Sequence, residues 1–283
     1  MTTAAITTTT GTEGVVASTA TSCDETLLAY QTTGEGPPLI IVDGPLCHRG
    51  AGPSTALARL LGRRHTVVTY DRRGRGASSD VTPYAVEREI EDLDVLVRST
   101  GGSAVVFGFS TGGVLALDAA GQGVAITRLA LFEPPFIVAG PAPGALVAPL
   151  AELVAAGRRA EALDLYLTRA IGLPTELTAG LRRLPFWGAL DALAHTLVHE
   201  AMIMAGTQSG GPLPGARWSD VTIPTLVVHG DASRPEAGAA AVALAGVLPS
   251  VQHRTVPGAH HQITAADLAG VLTDFFSGKA DPS

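Results

Sequence analysis

The 283-residue sequence predicts an α/β protein whose mostly parallel central sheet is flanked by helices. Two observations carry that expectation. Short apolar or β-prone runs recur from Leu39 to Val256, most of them followed by a helical stretch. Strands buried on both faces look like this, and parallel neighbours need helical crossovers. The second observation is the run Val105-Val106-Phe107-Gly108-Phe109-Ser110-Thr111-Gly112-Gly113, which leads directly into the Ala/Leu-rich Val114–Ala120. That is strand, abrupt turn and helix, with Gly-x-Ser-x-Gly at the bend. A serine in so sharp a turn sits in strained backbone, and side chains at the flanking glycines would collide with the strand and helix. Its hydroxyl stands at the carboxyl edge of the sheet and at a helix N-terminus, where partial positive charge favours a developing anion. Taken alone, the pentapeptide also suits a glycine-rich connector in a Rossmann-like unit.

Taken in order, residues 1–12 are polar and of low complexity, and disorder is expected there. Gly14–Thr19 and Thr26–Thr32 read as a hairpin around Ser22–Glu25. Leu39–Val42 and Thr66–Tyr70 are buried strands separated by a helix over Ser54–Leu61. After the turn-rich Asp71–Ser78, Ala85–Arg98 is an amphipathic helix with Val86, Ile90, Leu93 and Val97 on one stripe. Beyond the serine turn, Ile126–Phe132 is a strand ending at Glu133-Pro134-Pro135. From 136 to 218 no buried strand is evident, only helical stretches at Leu146–Ala156, Ala160–Ile171 and Ala189–Met204. Thr225–Val228 and Val251–Val256 are the last strands, with helices over Ala237–Leu248 and Ala265–Phe276. The expected organisation is a core of 13–135 and 219–278, interrupted by a helical cap over 136–218.

Composition narrows the function. At 46% hydrophobic residues the chain can bury a large core. The net charge of −7 and the lack of a basic cluster argue against nucleic acid. Cys23 and Cys47 have no metal-type spacing, so neither a metal nor a disulfide framework is expected. No apolar run reaches the roughly 18 residues of a membrane span, and Met1–Thr10 does not read as a secretory signal. The expectation is a cytoplasmic protein without cofactor that acts on a small molecule and has no nucleic-acid or membrane partner. The oligomeric state stays open, a homodimer included.

Four markers fall in a fixed order: Asp43-Gly44 after a strand, Asp71-Arg72-Arg73-Gly74-Arg75-Gly76-Ala77-Ser78, the serine turn, and Pro257-Gly258-Ala259-His260-His261 before the last helix. With them the chain resembles the α/β-hydrolase superfamily from about residue 14 to 276. The resemblance implies Ser110 as nucleophile and His261 as base, with His260 the nearest rival for that role. The family's acid usually stands at the position held here by Ser233 of His229-Gly230-Asp231-Ala232-Ser233, and serine cannot stabilise an imidazolium. Glu133 is therefore the preferred acid, since some relatives carry theirs at the end of this strand; Asp231 is the alternative. The oxyanion hole should use the N–H of Thr111. The family's second donor falls on Pro45, which has no N–H, leaving Leu46 to take its place. Asp43 caps its turn, and Cys47, His48 and Arg49 are candidate pocket residues. Phe186, Trp187, His195 and His199 are candidate substrate contacts in the cap, although such residues more often pack.

The implied activity is a serine hydrolase cleaving an ester, lactone or thioester of a small apolar substrate through an acyl-enzyme. A second expectation is a lyase, cyclase or acyl transferase of secondary metabolism on the same scaffold, motivated by the displaced acid and Pro45. A third is a binding protein without catalysis.

Overall fold

The computed structural model describes residues 9–10, 15–261 and 263–278. Its strands are β1 (Thr9–Thr10), β2 (Val15–Thr21), β3 (Leu27–Thr33), β4 (Pro38–Val42), β5 (Thr66–Tyr70), β6 (Ala104–Phe109), β7 (Ile126–Phe132), β8 (Thr225–Gly230) and β9 (Val251–Val256). Among the described residues they form one sheet in the order β1-β2-β3-β5-β4-β6-β7-β8-β9. β1, β2, β3 and β5 pair antiparallel, and every pairing from β5 through β4 to β9 is parallel. This is the mostly parallel, helix-flanked sheet that the alternating strand and helix runs predict. The stretch 1–12, expected to be disordered, lies outside the described residues except for Thr9–Thr10, which pair with Ala17 and Val16 as β1.

β4 and β6, at the centre, are apolar throughout because each buries both faces. Side chains alternate across the sheet. Ile40, Val42, Val68, Val106, Leu129, Leu131 and Val227 pack on α2 (Val86–Ser99), α3 (Thr111–Gly121) and α9 (Pro235–Ala245). Leu39, Ile41, Val67, Phe107, Phe132 and Val228 pack on α1 (Ser54–Leu61) and α10 (Ala265–Phe276). Burying one such side chain is worth about 1.5–3 kcal/mol. α10 starts where Thr264 Oγ1 accepts from Asp267 N–H at 3.2 Å and donates to its carboxylate at 2.6 Å, a reciprocal cap.

Between β7 and β8 the chain is helical: α4 (Val147–Ala155), α5 (Arg159–Leu165), α6 (Thr175–Leu181), α7 (Trp187–Leu193) and α8 (Leu197–Ile203). These helices bury their own cluster, including Leu150, Leu163, Tyr166 and Leu197. Two continuous helices expected from the sequence are broken. Over Ala160–Ile171, α5 passes into a π-helical turn, Tyr166–Ala170, closed by Ile171 N–H on Tyr166 O at 3.1 Å. Over Ala189–Met204, a 3₁₀ turn at Ala194–Thr196 separates α7 from α8. There Thr196 Oγ1 donates to Leu193 O at 2.8 Å, a local bond that competes with the regular ladder. α6 was not expected, because Thr-Glu-Leu-Thr-Ala-Gly-Leu after a proline shows no clear stripe. No described helix is long and apolar enough to cross a membrane.

The packing of α3 onto β6 depends on two glycines. A Cβ on Gly108 would lie 2.4 Å from Gly113 Cα, and one on Gly112 would lie 2.4 Å from the carbonyl oxygen of Val42. Backbone cannot yield cheaply at such distances. Gly112→Ala should therefore lower the unfolding free energy by at least about 1–3 kcal/mol, as other overpacked sites do. Gly180→Ala, inside α6 with nothing within 4 Å of the added Cβ, should raise it by about 0.5–1 kcal/mol through backbone entropy. Urea unfolding of the two variants beside the parent checks both signs.

Candidate active site

Ser110 stands between the end of β6 and the first turn of α3, with φ 50° and ψ −124°. The turn is held on both sides. Ser110 N–H donates to Phe132 O at 2.9 Å, and Gly113 N–H donates to Ser110 O at 3.0 Å. The side chain is buried but reaches a cavity of about 250 Å³. Glu133 and His261 line the same cavity.

Glu133 follows the last residue of β7 with φ 46°, and its N–H donates to Val228 O at 3.0 Å. The positive φ turns its side chain off the strand line, across the tip of β8. There Oε2 sits 2.7 Å from His261 Nδ1. Oε1 accepts from Gly230 N–H at 3.0 Å and from the Ser233 hydroxyl. Ser233, at the position where the resemblance expects an acid, thus donates to the Glu133 carboxylate. Burial pushes the Glu133 carboxyl up, but the bonds from His261, Gly230 and Ser233 and the charge of His261 outweigh it, holding it below the usual carboxylate range. The His261 ring stacks on Phe132, centroids 6.1 Å apart at 26°. Asp231, the alternative acid, instead accepts from Gly258 N–H at 2.6 Å and so fixes the start of the histidine loop.

α3 begins at Thr111, so its N–H is among the first four of the helix that lack an intrahelical acceptor. Leu46 has φ 58°, and Pro45 before it offers no donor. Gly44 lies against the Ser110 turn: a Cβ there would come within 3.2 Å of Ser110 Cβ. Asp43 is buried; its Oδ2 accepts from Ser54 Oγ at 2.7 Å, and its Oδ1 has no partner among the described residues.

The remaining candidates sit elsewhere. The cavity is lined by Pro134, Pro135, Phe136 and Ile137 after β7, by Ala170, Ile171, Leu173 and Gln208 of the helical segment, and by Arg234, Glu236 and Ala237 near α9. None of Phe186, Trp187, His195 or His199 is among them. Trp187 lies under the Arg182 guanidinium at 5.8 Å, Phe186 faces solvent, and His195 approaches Asp80 at 3.8 Å. His199 stacks on Tyr84, centroids 3.6 Å apart, and burial pushes its pKa down to about 4. Cys47, His48 and Arg49 also stay off the cavity. His48 Nδ1 accepts from Gly50 N–H at 3.0 Å, and Arg49 pairs with Asp71 at 3.1 Å. Burial, with the Asp43 charge, pushes the Cys47 thiol up to about 12, which removes it as a nucleophile at neutral pH. Among the described residues no group of three or more His, Cys, Asp or Glu is disposed to hold a metal ion.

One residue beside the site escaped the sequence reading. Glu200 of α8 is completely buried and lines a cleft of about 20 Å³ together with Ser110 and Thr111. Its signal was indirect. Arg72, Arg73 and Arg75 crowd one loop with a single acid, Asp71, so buried anions had to come from elsewhere.

A strand–turn–helix serine, an acid-backed histidine and a doubly flanked sheet define a hydrolase-type scaffold, and comparison with known proteins agrees. Residues 46–269 match the model of the alpha/beta hydrolase family. An alpha/beta hydrolase of solved structure from Sphaerobacter thermophilus DSM 20745 is 40% identical, with a TM-score of 0.83 over 91% of this chain and 99% of that one. The chain belongs to the alpha/beta hydrolase family. The uncharacterized hydrolase YraK of Bacillus subtilis (strain 168) is 38% identical over 96 residues, 31% of this chain; the match spans only 34% of that relative's length. A thermophilic esterase from Thermogutta terrifontis shares the fold at 21% identity, with a TM-score of 0.67 over 98% of this chain and 99% of that one.

Asp43 gives the site a pH signature. Burial pushes its pKa up to about 6, against the Ser54 hydrogen bond and the charges of Arg75 and Arg72. An acid that holds its proton more tightly when folded loses the folded state stability as pH rises, here from its ordinary 3.8 through about 6. Asp43→Asn should remove that fall, a difference on the order of 3 kcal/mol at pH 7. Unfolding free energies of both proteins from pH 4 to 7 should converge at the acid end and separate toward neutrality.

Proposed function

We propose that this chain is a serine hydrolase that cleaves an ester, lactone or thioester of a small apolar substrate through an acyl-enzyme. The observation that carries the reading is the 2.7 Å contact from Glu133 Oε2 to His261 Nδ1, beside a cavity that Ser110 shares. In this mechanism His261 takes the Ser110 proton through its other ring nitrogen as the hydroxyl attacks the carbonyl carbon. Glu133, ionised at neutral pH because its carboxyl is held low, fixes the tautomer and stabilises the imidazolium. The developing oxyanion is received by the N–H of Thr111 and that of Leu46. His261 returns the proton to the leaving group, and water then releases the acyl chain by the same steps in reverse order. The segment 136–218 acts as a cap, contributing Ala170, Ile171 and Leu173 to a mostly apolar wall; that wall favours an uncharged acyl group.

Pro45 supports a second reading, a non-hydrolytic lyase or acyl transferase that needs a weaker oxyanion hole. Turnover in ¹⁸O-labelled water separates the two, because only hydrolysis places solvent oxygen in the product acid.

A fluorophosphonate probe should label the parent protein and leave Ser110→Ala unlabelled; absence of labelling in both would sink the serine-hydrolase reading. Glu133→Gln should lower kcat toward the roughly 10⁴-fold loss seen when a triad acid is neutralised, whereas Asp231→Asn should cost less than about tenfold. The reverse ranking in an aryl-ester assay would move the acid to Asp231.

A further inference from the structure

The Glu200 carboxylate meets three donors: Arg72 Nη1 at 2.9 Å, Arg75 Nη2, and the hydroxyl of Thr111. The same two arginines hold the backbone of the loop after β4. Arg72 Nη1 donates to Asp43 O at 3.2 Å; Arg75 Nη1 donates to Gly44 O at 2.7 Å and Cys47 O at 3.4 Å. On its far side Arg72 is closed by Glu89, with bonds of 2.7 and 2.8 Å. One carboxylate from the helical segment therefore grips the residue after Ser110 directly and, through Arg75, the turn that contains Leu46. Those are the two places from which oxyanion donors come in the proposed mechanism.

We propose that Glu200 is a positioning residue for the oxyanion hole: it sets the Thr111 and Leu46 N–H groups relative to Ser110, and so makes the hole depend on docking of the helical segment. The proposal rests on the serine-hydrolase reading. A direct electrostatic role points the other way. A negative charge near a developing oxyanion opposes it, and here that charge is matched: Arg72 and Arg75 balance Glu89 and Glu200. What remains is geometry. The bound carboxylate fixes Thr111 χ1 and with it the first turn of α3, and Arg75 does the same for a loop whose usual donor position is the proline Pro45. Donors misplaced by a fraction of an ångström stabilise a transition state poorly.

Two variants test it. Thr111→Val keeps the N–H and the shape but deletes the hydroxyl link; Glu200→Asp keeps the charge but withdraws the carboxylate by one methylene. Each, folded by circular dichroism, should lower kcat on an aryl acetate by about tenfold or more, short of the 10²–10³ lost with a whole donor, and leave KM within about twofold. Affinity for a trifluoromethyl ketone, which binds as a tetrahedral oxyanion, should fall by the same factor as kcat/KM. The double variant should lose little beyond Glu200→Asp alone, because the Thr111 link acts only through that carboxylate. Parent kcat and parent ketone affinity in Thr111→Val, with only the melting temperature lowered, would overturn the proposal, whether or not Glu200→Asp folds. Parent protein that resists fluorophosphonate labelling at Ser110 would instead remove the reading beneath it, a failure visible before any variant is made.

Discussion

The hydrogen bond from Glu133 to His261 is the contact on which the rest of the site depends. The imidazole stands on an exposed loop after β9, its side chain 62% open to solvent. A ring so placed has few packing contacts to fix its rotamer, so the 2.7 Å bond to a buried, strand-anchored carboxylate largely decides where its other nitrogen points. Everything that orients Glu133 therefore orients the imidazole: its positive φ, the bond of its N–H to Val228 O, and the two donors on Oε1. The sheet makes this possible. β7 and β8 are parallel neighbours in register from Leu129 with Thr225 to Phe132 with Val228, so their carboxyl ends lie side by side beneath the histidine loop.

Beneath Ser110 the molecule buries charge instead of avoiding it. Arg72, Arg73 and Arg75 are each at most 1% exposed, and each is met by carboxylates from other elements: Glu89 and Asp92 on α2, Glu200 on α8, and Asp24 in the turn between β2 and β3. Removing one partner of such a pair costs about 3–5 kcal/mol, because the other charge stays buried and alone. The loop 71–78 is thus pinned by long-range pairs, and it passes that rigidity to the Gly44–Cys47 turn through backbone carbonyls.

Much of this was legible in the chain. β5, β7 and β9 and helices α1 and α10 fall where the apolar and β-prone runs place them; β5 and most of β7 are buried, whereas the edge strand β9 carries Arg254 and was marked by its alternating β-prone residues between turns. Ser110 and its turn were legible for a steric reason, as Gly108 and Gly112 stand where no Cβ fits. Glu133 was named from the resemblance, because some relatives carry their acid at the end of this strand and Ser233 holds the usual place, with Asp231 kept as the alternative. What stayed hidden depends on distant partners. That Ser233 donates to Glu133 and that Glu200 pairs with the arginine loop are contacts across about a hundred residues of chain, with no local pattern to mark them. Residue type alone did not separate recognition from packing in the helical segment: His199 stacks on Tyr84 and Trp187 lies under Arg182, while Phe186 is exposed and His195 faces Asp80.

The Ser233 hydroxyl on Glu133 has an evolutionary corollary. The two positions are epistatic. Restoring aspartate at 233 while Glu133 remains would set two carboxylates at hydrogen-bond distance, and one would have to take up a proton. Losing Glu133 first would leave the histidine with no anion. A stepwise path between the two arrangements therefore passes either through two facing carboxylates or through none, and so through a weakened ancestor or a duplicated copy relieved of selection.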